Sequence, residues 1–249
     1  MTERKQDLGT ATLSIHAGLG SDATTGAVKR PLVMANNYVR PFTDEPGQEI
    51  RYPAEFIYVR NGHPNAAWLE ERLACLEGGE DCVVTASGVA AIVGTMLTLL
   101  NTGDHVISSA PVYVAVRDVL ENHLPRRLGI ATTLVDTSDC EAVRRAVTPK
   151  TRLIHIETPG NPTTCISDIA AIARISKDIG ALLTVDSTWS GMVTQKPLQL
   201  GADLVMHSLS KYINGHGDAV GGCVIGRRSL TDQIRLFALT DLGACISPF

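Results

Sequence analysis

The sequence has no long hydrophobic run. Its longest apolar stretch, residues 89–100, is interrupted by Gly94 and Thr95 and falls well short of the roughly 20 residues a membrane-spanning helix needs. The polar opening MTERKQDLGTATLS lacks the apolar core of a secretory signal. There is no basic excess either. Lys and Arg number 22 against 26 Asp and Glu, for a net charge of −4, and the cations are scattered, so no stripe exists to neutralise a phosphate backbone. These absences exclude nucleic acid and membrane as expected partners and make the cytoplasm the expected compartment. The six cysteines, at 75, 82, 140, 165, 223 and 245, contain no C-x-x-C pair, and several sit in apolar runs. They read as reduced core residues with no metal or disulfide role. No internal repeat or low-complexity segment occurs.

With 249 residues and 44% hydrophobic content, the chain can bury one large core. Its first 65 residues are irregular and rich in Gly, Pro, Asn and Arg, which predicts an arm wrapping over another surface, with the packed unit running over 66–249. In AAWLEERLACLEGG, Leu69, Leu73 and Leu76 fall at helical spacing before a Gly78-Gly79 stop. Short β-branched apolar runs follow at 82–85, 105–108, 130–135, 153–156, 182–185, 203–207 and 220–225. Most are separated by helical segments such as VAAIVGTMLTLL, VRDVLENHL and IAAIARISKDIG. This alternation predicts an α/β fold, a mainly parallel sheet with helices on both faces.

Open α/β sheets bind ligands at the carboxyl ends of their strands, so the residues that close each run are candidates. They are Ala86-Ser87-Gly88, Glu157, Asp186 and His207-Ser208, with Lys211 four residues beyond the run at 203–207. A strand-to-helix turn at TASGVAA points the Gly88 and Val89 amides along a helix axis, as an anion requires, although a plain tight turn would look the same. Asp186 either caps the next segment or partners a protonated ring nitrogen, since a carboxylate closing a buried strand needs a partner. Lys211 follows a buried strand, lies among Ser208, Ser210 and NGHGDAVGG, and if desolvated could lose its proton and form a Schiff base with a carbonyl. Together the set suits an anionic, aromatic, amine-reactive ligand.

The segment HSLSKYINGHGD resembles the cofactor-lysine segment of the transsulfuration family, the pyridoxal-phosphate enzymes of cysteine and methionine metabolism. SIHAG at 14, YVRNGHP at 58, ASGVAA at 86, ETPGNPT at 157, VDSTW at 185, QKPLQLGADLVMHS at 195 and DQIR at 232 match in the family's order. The resemblance implies the large domain of a fold-type-I pyridoxal 5'-phosphate enzyme. Lys211 would hold the cofactor and shuttle protons. Asp186 would pair with the pyridinium nitrogen and keep the ring an electron sink. Tyr113 would stack on the ring and act as acid or base. Gly88, Val89, Ser208 and Ser210 would hold the phosphate, Asn161 would contact the ring hydroxyl, and Thr188 would help fix the ring. Tyr58 and Arg60 would reach the phosphate of a neighbouring subunit, which implies a homodimer or homotetramer acting on a small amino-acid substrate.

Several positions depart from the family pattern. His63-Pro64-Asn65 replaces the usual Asn-Pro-Thr, Val114 replaces a glycine after the stacking tyrosine, and Ala115 stands where methionine γ-lyases carry cysteine. The sequence ends at GACISPF, where the family continues through a C-terminal domain supplying the arginine for the substrate carboxylate. The expectation is a carbon–sulfur lyase or transferase working by γ-elimination or γ-replacement, lacking that domain. A cofactor-binding protein without catalysis and an aminotransferase stand as alternatives.

Overall fold

Each apolar run becomes a strand because β-branched side chains pack well on a pleated surface. The strands are β1 Asp81–Thr85, β2 His105–Ser109, β3 Ala131–Val135, β4 Thr151–Glu157, β5 Leu182–Asp186, β6 Leu204–Ser208 and β7 Gly222–Gly226. The structure is a computed structural model describing residues 8–39 and 56–249. The strands form one seven-stranded sheet in the order β1-β7-β6-β5-β4-β2-β3. β7 pairs antiparallel with both β1 and β6, and every other pairing is parallel.

The helices are α1 Thr10–His16, α2 Pro64–Glu77, α3 Gly88–Leu99, α4 Val114–Asp118, α5 Leu124–Leu128, α6 Cys140–Ala146, α7 Ile169–Asp178, α8 Gly191–Thr194 and α9 Arg228–Ile234. A π turn, Val119–His123, joins α4 to α5, and another, Arg235–Asp241, extends α9. The strand alternation sorts their packing. Val83, Val106, Leu153, Leu204, Met206 and Val224 pack with α3, α4 and α9. Ile107, Ile154, Ile156, Leu183 and Val185 pack with α6 and α7 on the opposite face, where Val84, Val205 and Ile225 meet α2. Both faces are therefore covered, as the alternation predicts, and each large aliphatic side chain so buried contributes about 1.5–3 kcal/mol.

α2 begins two residues before the apolar period, with Pro64 at its first position and His63 as its cap. The buried His63 ring accepts from the Ala66 amide at 3.3 Å. The helix stops at Gly78, whose φ of +81° suits a residue without a Cβ. α1 leans on α2, with the Arg72 Nε donating to the Ala17 carbonyl at 2.8 Å.

The DQIR match has a structural role. Arg235 is buried, its Nη1 donating to both Glu70 oxygens at 2.9 Å and its Nη2 to Asp81 at 3.1 Å and the Cys82 carbonyl at 2.7 Å. One guanidinium thus ties α2, β1 and the helix after β7, and the two carboxylates that face it offset its burial.

Candidate functional site

The carboxyl ends of β1, β4, β5 and β6 open into one cavity of about 700 Å³. Its lining includes Gly88, Val89, Tyr113, Asn161, Asp186, Thr188, Ser208, Ser210 and Lys211, all expected from the sequence, together with Ser87 and Glu157 from the predicted strand ends.

α3 starts at the floor of this cavity. Ser87 caps it, its Oγ accepting from the Ala90 amide at 3.1 Å. The amides of Gly88 and Val89 occupy the first two helical positions, which have no acceptor within a helix and carry the positive end of its dipole. A Cβ on Gly88 would stand 2.8 Å from the Ser208 Cβ, so glycine is what lets the β6 end close over this terminus. Gly222 on β7 is tighter still, since a Cβ there would lie 2.2 Å from the Ser87 carbonyl oxygen.

Asp186 ends β5, buried at the cavity wall. Its Oδ1 accepts from the Thr188 amide at 3.0 Å and the Thr188 hydroxyl at 2.5 Å. The Thr188 Oγ1 in turn accepts from the Ser208 amide at 2.8 Å. Asp186 thus caps its own turn and also lines the cavity. Thr188 acts on the Asp186 carboxylate and on the β6 end, a more specific placement than the expected help in fixing a ring.

Glu157 lies beside Asp186 in the β4–β5 register. Its Oε2 accepts from the Tyr113 amide and its Oε1 from the Asn161 amide, both at 2.7 Å. Burial pushes this carboxyl up to about 7, the Asp186 charge adds to the push, and the two amide bonds oppose it. Two residues back, His155 is fully buried. Its Nδ1 meets the Thr184 hydroxyl at 2.9 Å while Nε2 has no hydrogen-bond partner among the described residues. Burial holds its pKa down at about 4 against the pull of Asp186.

Lys211 corrects one expectation. It is exposed, not desolvated, because the π turn Leu209–Ile213 carries it off the buried strand to the open mouth of the cavity. Ser210 lines the cavity, but its Oγ also accepts from the Gly221 amide at 3.0 Å. Tyr58 and Arg60 do not line it. Tyr58 forms an isolated antiparallel bridge with Asn37, and the Arg60 guanidinium donates to the Thr240 carbonyl while lying 5.4 Å from the Tyr58 ring centroid. Sequence reasoning missed Trp189 and Tyr212, which line the mouth with ring centroids 6.0 Å apart. The available signal was an aromatic residue directly beside Thr188 and beside Lys211.

The sequence matches the family model for Cys/Met metabolism PLP-dependent enzymes over residues 11–249. It is 50% identical over 238 residues to a canavanine gamma-lyase of Rhizobium leguminosarum bv. trifolii, covering 96% of this chain and 59% of that protein. To an L-methionine gamma-lyase of Treponema denticola it is 36% identical, covering 98% of this chain and 61% of the relative. The crystal structure of a cystathionine gamma-lyase from Lactobacillus plantarum complexed with L-serine superposes with a TM-score of 0.87 at 37% identity, over 97% of this chain and 61% of that one. The chain thus spans about 60% of the length of the relatives it matches.

The side chains fit the family's cofactor. Pyridoxal 5'-phosphate carries a phosphate, a ring nitrogen that binds a proton, a flat ring and an aldehyde. The cavity offers a helix N-terminus that only glycine lets close, a carboxylate held by Thr188, the Tyr113 ring and the Lys211 amine. Among the described residues no helix is long and apolar enough to cross a membrane. On its match over residues 11–249 and its superposition on a solved relative, the chain belongs to the Cys/Met metabolism PLP-dependent enzyme family, whose cofactor is pyridoxal 5'-phosphate.

Proposed function

We propose that this chain forms the cofactor-holding core of a γ-lyase that cleaves a carbon–heteroatom bond at Cγ of an amino acid. The observation that carries this reading is the convergence of Lys211, Asp186, Tyr113 and the α3 N-terminus on one cavity. When bound, pyridoxal 5'-phosphate supplies an aldehyde for the substrate amine and a protonated ring that draws off the electron pair released at Cα.

The protein's own groups do the rest. Asp186 holds the proton on the ring nitrogen. Gly88 and Val89, with Ser208 and Ser210, bind the phosphate. Tyr113 covers one ring face, Asn161 meets the ring hydroxyl, and Thr188 keeps the Asp186 carboxylate aimed. Lys211 binds the cofactor and, with its amine free, takes the proton from Cα. Its place at an open mouth lets an incoming amine reach it.

Sulfur amino acids of the methionine and cystathionine type are the substrate class. Canavanine, which carries oxygen at the same position, is the second reading, favoured by 50% identity to a canavanine gamma-lyase against 36% to an L-methionine gamma-lyase. Residues 1–65, of which 1–7 and 40–55 lie outside the described residues, serve as an intersubunit arm, and Tyr58 and Arg60 reach the neighbouring subunit's phosphate in a homodimer or homotetramer.

The test begins with visible absorbance of the purified protein plus pyridoxal 5'-phosphate, beside Lys211→Ala. Canavanine, methionine and cystathionine are then added with assays for 2-oxo acid and leaving group. A band that needs Lys211 and changes with one amino acid, with product released, supports the reading and selects the substrate. A band that no amino acid alters argues for a protein that binds the cofactor without catalysis, and amino-group transfer to an added 2-oxo acid would point to an aminotransferase.

A further inference from the structure

Glu157 is the one carboxylate in the cavity to which the family resemblance gives no part. Its two oxygens are divided between two loops that are far apart in sequence. Oε2 takes the amide of Tyr113, in the connection after β2, and Oε1 takes that of Asn161, in the connection after β4, each at 2.7 Å. Its own amide donates to the Ser109 hydroxyl at the end of β2 at 3.0 Å, which fixes the backbone, and the side chain cannot drift from this position without breaking two bonds. Tyr113 and Asn161 both line the cavity.

We propose that Glu157 is a positioning residue of this site, whose ionised carboxylate clamps the Tyr113 and Asn161 backbones and so sets two cavity walls relative to each other. The inference rests on the function proposed above, since it concerns the same cavity. Charge is what makes the clamp work. A carboxylate accepts at both oxygens, whereas a neutral carboxyl turns one of them into a hydroxyl that competes as a donor, and bonds to an ionised acceptor are about twice as strong as neutral ones.

The titratable groups that share this cavity with Glu157 are Asp186 from β5, the Tyr113 phenol from the β2 side, and Lys211 and Tyr212 from beyond β6. Of these, Asp186 acts on Glu157 and disfavours its charged form. With the carboxyl pushed up to about 7, the clamp loosens as the pH falls through neutrality.

Two measurements test this. The first follows the backbone amide resonances of Tyr113 and Asn161 by NMR between about pH 5 and about pH 9, and needs no cofactor. Both amides are expected to shift with one shared midpoint near pH 7, and the shared titration to vanish in Glu157→Gln. Separate midpoints, no movement, or a titration that survives in the variant would overturn the clamp. Should Glu157→Gln fail to fold, the Glu157 side-chain carboxyl carbon resonance of the wild type decides instead, since it must titrate with the same midpoint as both amides.

The second compares pyridoxal 5'-phosphate affinity of wild type and Glu157→Gln across the same range. Loss of one charge-assisted bond is expected to weaken binding about tenfold near pH 8, with the gap closing toward pH 5, where the wild-type carboxyl is itself neutral. A gap constant with pH would mean that Glu157 only supports the fold and has no positioning role. If the wild-type protein takes up no cofactor while its amides titrate as expected, the proposed function falls and the clamp stands.

Discussion

Thr188 donates twice to a single oxygen of Asp186, through its amide at 3.0 Å and its hydroxyl at 2.5 Å, which leaves Oδ2 as the oxygen available to a ligand in the cavity. The same hydroxyl accepts from the Ser208 amide, so one small side chain joins the ends of β5 and β6. Thr188→Val keeps the shape and removes both functions. A part-buried hydrogen-bonded group of this kind that bonds a charged partner contributes about 1–3 kcal/mol, so cofactor affinity is expected to fall roughly tenfold to hundredfold, with Thr188→Ser close to wild type. A fluorescence titration with pyridoxal 5'-phosphate measures it, and equal affinities for all three proteins would refute the relay.

Gly222 tests how tightly β7 is docked against the α3 terminus. A Cβ there meets the backbone of Ser87 at 2.2 Å and of Gly88 at 2.7 Å, and neither can swing away. Gly222→Ala is expected to destabilise the fold by about 2 kcal/mol or more. Gly9→Ala is expected to melt with the wild type, since among the described residues nothing lies within 4 Å of its added carbon. Thermal melts of the two variants side by side give the comparison.

Removing the buried cation should cost more. Arg235→Met leaves Glu70 and Asp81 facing each other without their guanidinium, and stranding buried charges in this way costs about 3–5 kcal/mol. Arg235→Lys restores the charge but cannot reach all four acceptors with one ammonium, and should recover only part of the loss. Urea midpoints would rank the three proteins.

Acid should weaken the fold through its buried histidines. Burial holds His155 at about 4 against an ordinary 6.5, so between those values the unfolded chain binds more protons than the folded one. The stabilisation is therefore complete above pH 6.5 and is lost as pH falls toward 4, with an upper limit on the order of 3 kcal/mol. His63 and His105 are lowered by burial as well and act in the same direction. Glu157 acts oppositely. Raised from 4.5 to about 7, its contribution is complete below 4.5 and is lost as pH rises through 7. Since Glu157 and His155 oppose each other over this window, the test is the difference between two proteins: from about pH 7.5 to about pH 4.5 the urea midpoint of the wild type should change less favourably than that of His155→Gln. A change of equal size in both would assign the acid sensitivity elsewhere.

The strands were legible because each is a short β-branched run whose end coincides with a polar residue, and the same break in pattern located Ser87, Glu157, Asp186 and Ser208. Other features depend on partners far apart in sequence. β7 runs against its neighbours, yet an apolar run reads the same in either direction. The amides on Glu157 belong to residues 44 and 4 positions away, and Arg235 meets Glu70 across 165 positions. That Lys211 is exposed cannot be read from the sequence, because its distance from a buried strand is visible there and the π turn after that strand is not. Trp189 and Tyr212 sit beside residues already singled out, but nothing in their spacing says that the two rings meet.

The chain of bonds from the Asp186 carboxylate through Thr188 to the Ser208 amide also works as a caliper. One jaw is the Asp186 carboxylate, and the other closes over the start of α3, which carries the positive end of a helix dipole. Because three hydrogen-bonded groups span the gap between them, the opening cannot widen or narrow without breaking a bond. A ligand carrying both poles at the matching separation engages both jaws together, while one that is a bond too short or too long must give up one of them.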